Sequence, residues 1–201
     1  MISVYQLKPK FQALLQPVLL RFKKWGFTPN GLTILALLLS IATGLFCHYG
    51  PSDIALLVLP FFLLFRMALN ALDGMMARQF NLQSKTGAVL NEIGDVLSDL
   101  ALYYPLIILF NIADHEWIWC FLLLSVVNEF AGLLGQALGG MRRYDGPMGK
   151  SDRALVVGIL CLLSWFGFSL QPYFSWIFLC IYSLLLLSTF KRLKNAALSN
   201  E

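Results

Sequence analysis

Apolar residues run along this chain in long blocks separated by short polar intervals, and each block approaches the twenty or so residues that one helical membrane crossing needs. The blocks lie near 30–48, 53–78, 86–112, 116–139, 152–169 and 172–190. They predict six transmembrane helices and an all-α integral membrane protein, with both termini on the same side. Ahead of them, Phe11, Leu14, Leu15, Val18, Leu19 and Phe22 recur at helical spacing and make one apolar stripe, with Arg21, Lys23 and Lys24 at its end. This pattern predicts an amphipathic amino-terminal helix at the membrane interface. Pro17 should kink or interrupt it. Thr28 and Pro29 read as the cap and first position of the next helix. The chain thus divides into a juxtamembrane segment (1–27), a six-helix transmembrane catalytic domain (28–194) and a short cytoplasmic tail (195–201).

Charge placement tests that topology independently. The chain is 58% hydrophobic and only 13% charged, and of its 15 lysines and arginines all but Arg66 fall before the first block, after the last, or around the second and fourth connections. The positive-inside rule makes that side cytoplasmic. A bacterial inner membrane is the expected location, and no nucleic acid is expected as a partner. The first 25 residues lack a signal-peptide pattern, because Lys8, Pro9 and Lys10 lead into a mixed stretch without a small-residue cleavage site. Cys47, Cys120, Cys161 and Cys180 show no paired spacing and read as small apolar residues. Gly132, Gly135 and Gly139 give small residues at helical spacing, for close helix packing or a contact between copies, and a homodimer is expected.

One stretch breaks the apolar pattern in a way packing does not explain. Asp73, Arg78, Glu92, Asp95 and Asp99 fall inside or beside the second and third blocks, and each ionisable group at membrane depth costs roughly 2.5–3.5 kcal/mol on insertion scales. Arg66, Asn70, Asp73 and Ala77 share one helix face, as do Asn91, Asp95 and Asp99 on the next, with Glu92 close by. If those faces meet, the carboxylates surround a pocket near the cytoplasmic surface. Dense hard oxygens suit Mg²⁺, Mn²⁺ or Ca²⁺ rather than zinc. Gly74 and Gly87 would let a ligand approach the backbone, and Arg78 offers a phosphate-binding fork at the mouth. Arg142, Arg143, Lys150 and Arg153 read either as topological charges or as a site for an anionic acceptor. Arg66 is expected to balance the carboxylates or to reach an acceptor group, with Glu129 as its candidate structural partner.

From Asn70 to Asp95 the chain resembles the signature of the CDP-alcohol phosphotransferases, D-x-x-D-G-x-x-A-R-x8-G-x-x-x-D-x-x-x-D. It matches at Asp73, Gly74, Ala77, Arg78, Gly87 and Asp95 with every spacing kept. Pro29, Asn30 and Thr33 resemble the family's P-N-x-x-T start, and Gly149 and Lys150 its later G-K loop. The resemblance implies a phosphatidyl transfer from a CDP-linked donor such as CDP-diacylglycerol to an alcohol acceptor, releasing CMP, with Mg²⁺ or Mn²⁺ as cofactor. It makes Asp95 the general base, and Arg78, Gly74 and Gly87 the donor-binding residues. Two signature aspartates are asparagines here, Asn70 and Asn91. On this reading the metal site is Asn70, Asp73, Asn91 and Asp95, with Glu92 and Asp99 restoring the missing charge. A register in which Asp95 and Asp99 form the final pair breaks the glycine spacing. The alternatives are an inactive CDP-lipid-binding relative and a cation or proton transporter.

Overall fold

The computed structural model describes residues 8–112 and 114–198, so the outermost parts of the amino-terminal segment and of the tail lie outside the described residues. Among the described residues the chain is helical throughout: α1 (Lys8–Lys24), α2 (Pro29–Tyr49), α3 (Ser52–Gln79), α4 (Lys85–Tyr103), a single turn α5 (Leu106–Leu109), α6 (Glu116–Ala137), α7 (Lys150–Trp165) and α8 (Phe174–Leu198). Four segments are long and apolar enough to cross a membrane: α2, α3, α6 and the stretch Gln171–Leu198 that contains α8. The chain is an integral membrane protein.

Local chemistry sets most of these boundaries. The Thr28 hydroxyl accepts from the Gly31 amide at 3.1 Å, and Pro29 takes the first position of α2, where its missing N–H costs nothing. Ser84 caps α4 in the same way through the Gly87 amide at 3.0 Å. The expected 86–112 span is broken near Tyr104: Pro105 has no amide to extend the ladder, and α5 restarts as one turn. Gly167, at φ +86°, ends the seventh helical segment soon after Trp165, short of the expected residue 169. Pro17, by contrast, does not interrupt α1, which runs through it as one element and packs against α3, with Leu19 fully buried beside Leu72, Met75 and Met76. Packing outweighs the local break. The tail assigned to 195–201 begins as helix, because α8 continues to Leu198.

The helices pair closely where side chains are small. A β-carbon at Gly44 of α2 would lie 2.2 Å from the Ala101 carbonyl oxygen of α4, so the two helices meet backbone to backbone. Gly158 of α7 faces Pro60 of α3, where a β-carbon would make ordinary contact at 3.7 Å. α6 packs on α8, and a core of Tyr103, Phe121, Phe178 and Leu185 joins the halves. The glycines of α6 serve this chain internally: β-carbons at Gly132 and Gly135 would lie 2.7 and 2.8 Å from the Arg143 and Met141 carbonyl oxygens of the following loop. At Gly132 and Gly135 the stripe is filled from within the chain, as close packing requires.

Candidate active site

A cavity of about 680 Å³ opens where α2, α3, α4 and α7 come together. Asn30 and Thr33 line it from α2, Asn70, Asp73, Gly74, Ala77 and Arg78 from α3, and Gly87, Asn91 and Asp95 from α4. Every signature position thus faces one space. Glu129, Arg142, Tyr144, Lys150 and Arg192 complete the wall. Leu64, which is 58% exposed on the apolar face of α3, and Met67 carry the same cavity out to the side of the bundle.

The four signature carboxylate positions sit in two linked pairs. The buried Asp73 accepts from the Thr33 hydroxyl at 2.8 Å and the Asn91 amide at 3.4 Å, through the same oxygen. Asp95 accepts from the Asn70 amide at 2.8 Å, is ion-paired to the Lys150 ammonium, and lies 3.7 Å from the Arg66 guanidinium. The two asparagines therefore act as donors to the two remaining aspartates. Thr33 was visible in sequence only as part of the start motif, and its contact with Asp73 is what gives that motif a role. Arg78 is exposed beside Gly74, whose absent β-carbon would have met its guanidinium at 3.3 Å. Gly87 leaves room for Asn30, whose side-chain oxygen would be 2.7 Å from a β-carbon there.

Glu92 and Asp99 are not brought to this cavity. Following the Asn91–Asp95–Asp99 face, each four-residue step moves about 6 Å along the helix, and the last step carries Asp99 out of the pocket wall into the bundle core. There its oxygens are taken by Arg66 at 2.5 Å and Arg153 at 2.7 Å. Glu92 accepts from Arg142 at 2.5 Å. The charge expected to replace Asn70 and Asn91 is thus spent on arginines. Arg66, in turn, balances the carboxylates, pairing with Asp99 and lying 3.7 Å from Asp95, and its structural partner is not the candidate Glu129. Glu129 instead accepts from Arg142 at 2.8 Å and Arg153 at 3.0 Å, with Arg192 at 3.9 Å.

The four basic candidates separate as sharply. Arg153 is fully buried and braces the start of α7, also donating to the Met148 carbonyl at 3.2 Å. Met148 itself is held at φ +58°, a conformation costly for a side-chain-bearing residue, directly ahead of the Gly149–Lys150 entry to α7. Arg143 donates to the Asn195 carbonyl at 2.9 Å and does not line the cavity. Arg142 and Lys150 do line it, each already facing a carboxylate.

Comparison with known proteins agrees with this architecture. Residues 27–181 match the family model described as CDP-alcohol phosphatidyltransferase. The chain is 47% identical over 158 residues to the inner membrane protein YnbA of Escherichia coli (strain K12), covering 79% of this chain and 78% of that one. It is 37% identical over 95 residues to an uncharacterized protein of Aquifex aeolicus (strain VF5), covering 47% and 46%. Among solved structures it resembles Mycobacterium tuberculosis phosphatidylinositol phosphate synthase with CDP-DAG bound, at TM-score 0.68 and 26% identity over 90% of this chain and 92% of that one. The apo form of the same enzyme matches at TM-score 0.67 and 28% identity over 89% and 93%. With its signature positions gathered on one cavity and a family model spanning most of its length, the chain belongs to the CDP-alcohol phosphatidyltransferase family.

Proposed function

We propose that this protein transfers a phosphatidyl group from CDP-diacylglycerol to an alcohol and releases CMP. The observation that carries the reading is the convergence of Asp73, Gly74, Arg78, Gly87 and Asp95 on one cavity open both at Arg78 and along the apolar face of α3. The CDP-DAG held by the mycobacterial relative supports the same donor here. Arg78 would hold pyrophosphate oxygens, with Gly74 making room for its guanidinium and Gly87 for Asn30 on the same cavity wall. The acceptor oxygen attacks the phosphorus that bears the diacylglycerol, the bond from that phosphorus to CMP breaks, and Asp95 takes the acceptor's proton. Positioning and electrostatics supply most of the acceleration.

The donor set bears on the metal that the family implies. Asp73 and Asp95, with the side-chain oxygens of Asn70 and Asn91, are hard ligands of the kind Mg²⁺ or Mn²⁺ prefers. Among the described residues, however, no group of three or more histidines, cysteines or acidic residues is placed to hold an ion. Two carboxylates fit the charge of one dication rather than two. Bound there, the ion would offset charge on the donor's phosphates. The purified protein with CDP-diacylglycerol, Mg²⁺ or Mn²⁺ and a panel of alcohols is expected to release CMP. Donor binding without CMP release from any alcohol would overturn the assignment in favour of a binding protein, the reading that Asn70 and Asn91 favour.

For the membrane arrangement we propose six crossings, with α4 and α7 completing the set and α1 lying along the cytoplasmic interface. Segregation of the basic residues supports it, placing both termini and the cavity mouth in the cytoplasm. A reporter that works only outside the inner membrane is therefore expected to stay silent when fused to the carboxyl terminus. Reporter activity would contradict that orientation.

A further inference from the structure

The cavity wall formed by Arg142, Lys150 and Arg192 is rich in cations, and each of them already has a carboxylate within 4 Å. Arg142 spends one end of its guanidinium fork on Glu92 and the other on Glu129. Lys150 is paired to Asp95. Arg192 donates to the backbone carbonyls of Asn128 at 2.8 Å and Asp145 at 3.3 Å, and has Glu129 at 3.9 Å. Among the described residues, Arg78 is the pocket cation with no acidic partner within 4 Å, and it stands on the donor side beside Gly74.

We infer that the acceptor is an alcohol without a phosphate or other net negative charge, a polyol being the plainest such molecule. The inference rests on the transferase reading above. A phosphate entering this wall would have to displace Glu92 or Glu129 from Arg142 while bringing its own charge against those same carboxylates, and like-charge juxtaposition is costly in a partly desolvated site. Hydroxyl groups meet no such conflict. They can donate to the Glu129 carboxylate, which lines the cavity, and accept from the guanidinium edges without breaking an ion pair. The carboxylates of Glu92 and Glu129 are thus specificity elements that cancel what would otherwise be a phosphate-binding arginine.

Two measurements on the full-length protein test this separately from the transferase reading. With CDP-diacylglycerol vesicles and divalent metal, glycerol or inositol is expected to support CMP release at least about tenfold faster than glycerol 3-phosphate or inositol 1-phosphate at equal concentration. Equal or faster release with the phosphorylated acceptors overturns the inference and leaves the transferase assignment standing. Calorimetry with inorganic phosphate needs no turnover, so it decides the matter even if no acceptor reacts. The wild type should show no Arg142-dependent binding, Glu92→Gln should gain it, and Glu92→Gln with Arg142→Leu should lose it again. Phosphate binding by the wild type that Arg142→Leu abolishes, or no gain in Glu92→Gln, would overturn the inference.

Discussion

Asp95→Asn is expected to lower CMP release at least about a hundredfold, the scale on which loss of a positioned general base is felt, while leaving the fold intact. The substitution keeps the side chain's size and its place opposite Asn70, which now donates to it at 2.8 Å. It removes the charge that faces Lys150 and the capacity to take the acceptor's proton. Asp95 is also held from two helices, from α3 by Asn70 and Arg66 and from α7 by Lys150. Those three contacts fix a base rather than leave it to swing. Turnover within a few-fold of wild type in Asp95→Asn would remove Asp95 from the proton-transfer step.

Asp99→Leu is expected to cost about 3–5 kcal/mol of stability, because it strips the shared carboxylate from two arginines that have no water to turn to. Arg66 is 2% exposed and Arg153 fully buried. Thermal unfolding in detergent should report a large drop, while affinity for Mg²⁺ or Mn²⁺ per folded molecule stays the same. The opposite pattern, an undisturbed midpoint with lost metal affinity, would return Asp99 to the metal site. Either outcome separates the two roles that residue spacing alone left entangled.

That entanglement marks the limit of what the sequence disclosed. Helix starts at Thr28–Pro29 and the shared faces of Asn70 with Asp73 and Asn91 with Asp95 were legible because they follow from periodicity and neighbours a turn away. The partners of Glu92 and Asp99 were not, since Arg142 and Arg153 lie 50 and 54 residues further along and arrive through packing of other helices. A carboxylate four residues from a catalytic one looks identical in sequence whether it meets solvent or an arginine. The break at Pro105 did carry a signal, and hydropathy concealed it, because an apolar run continues through the proline without interruption. The stripe Gly132–Gly135 is the reverse case: its spacing is right for packing between helices, and what fills it is the backbone of its own downstream loop.

The lateral reach of the cavity, past Met67 to the exposed Leu64, puts the protein under two different measures of abundance. A lipid donor and its lipid product would exchange by diffusion within a leaflet, so what the site samples of them is a mole fraction of the surrounding lipid. On the proposed reaction, CMP and the alcohol would come and go through water and be counted per volume. Diluting the leaflet with inert lipid would then starve one substrate without touching the other, and flux through the proposed reaction would become a readout of membrane composition as much as of aqueous supply.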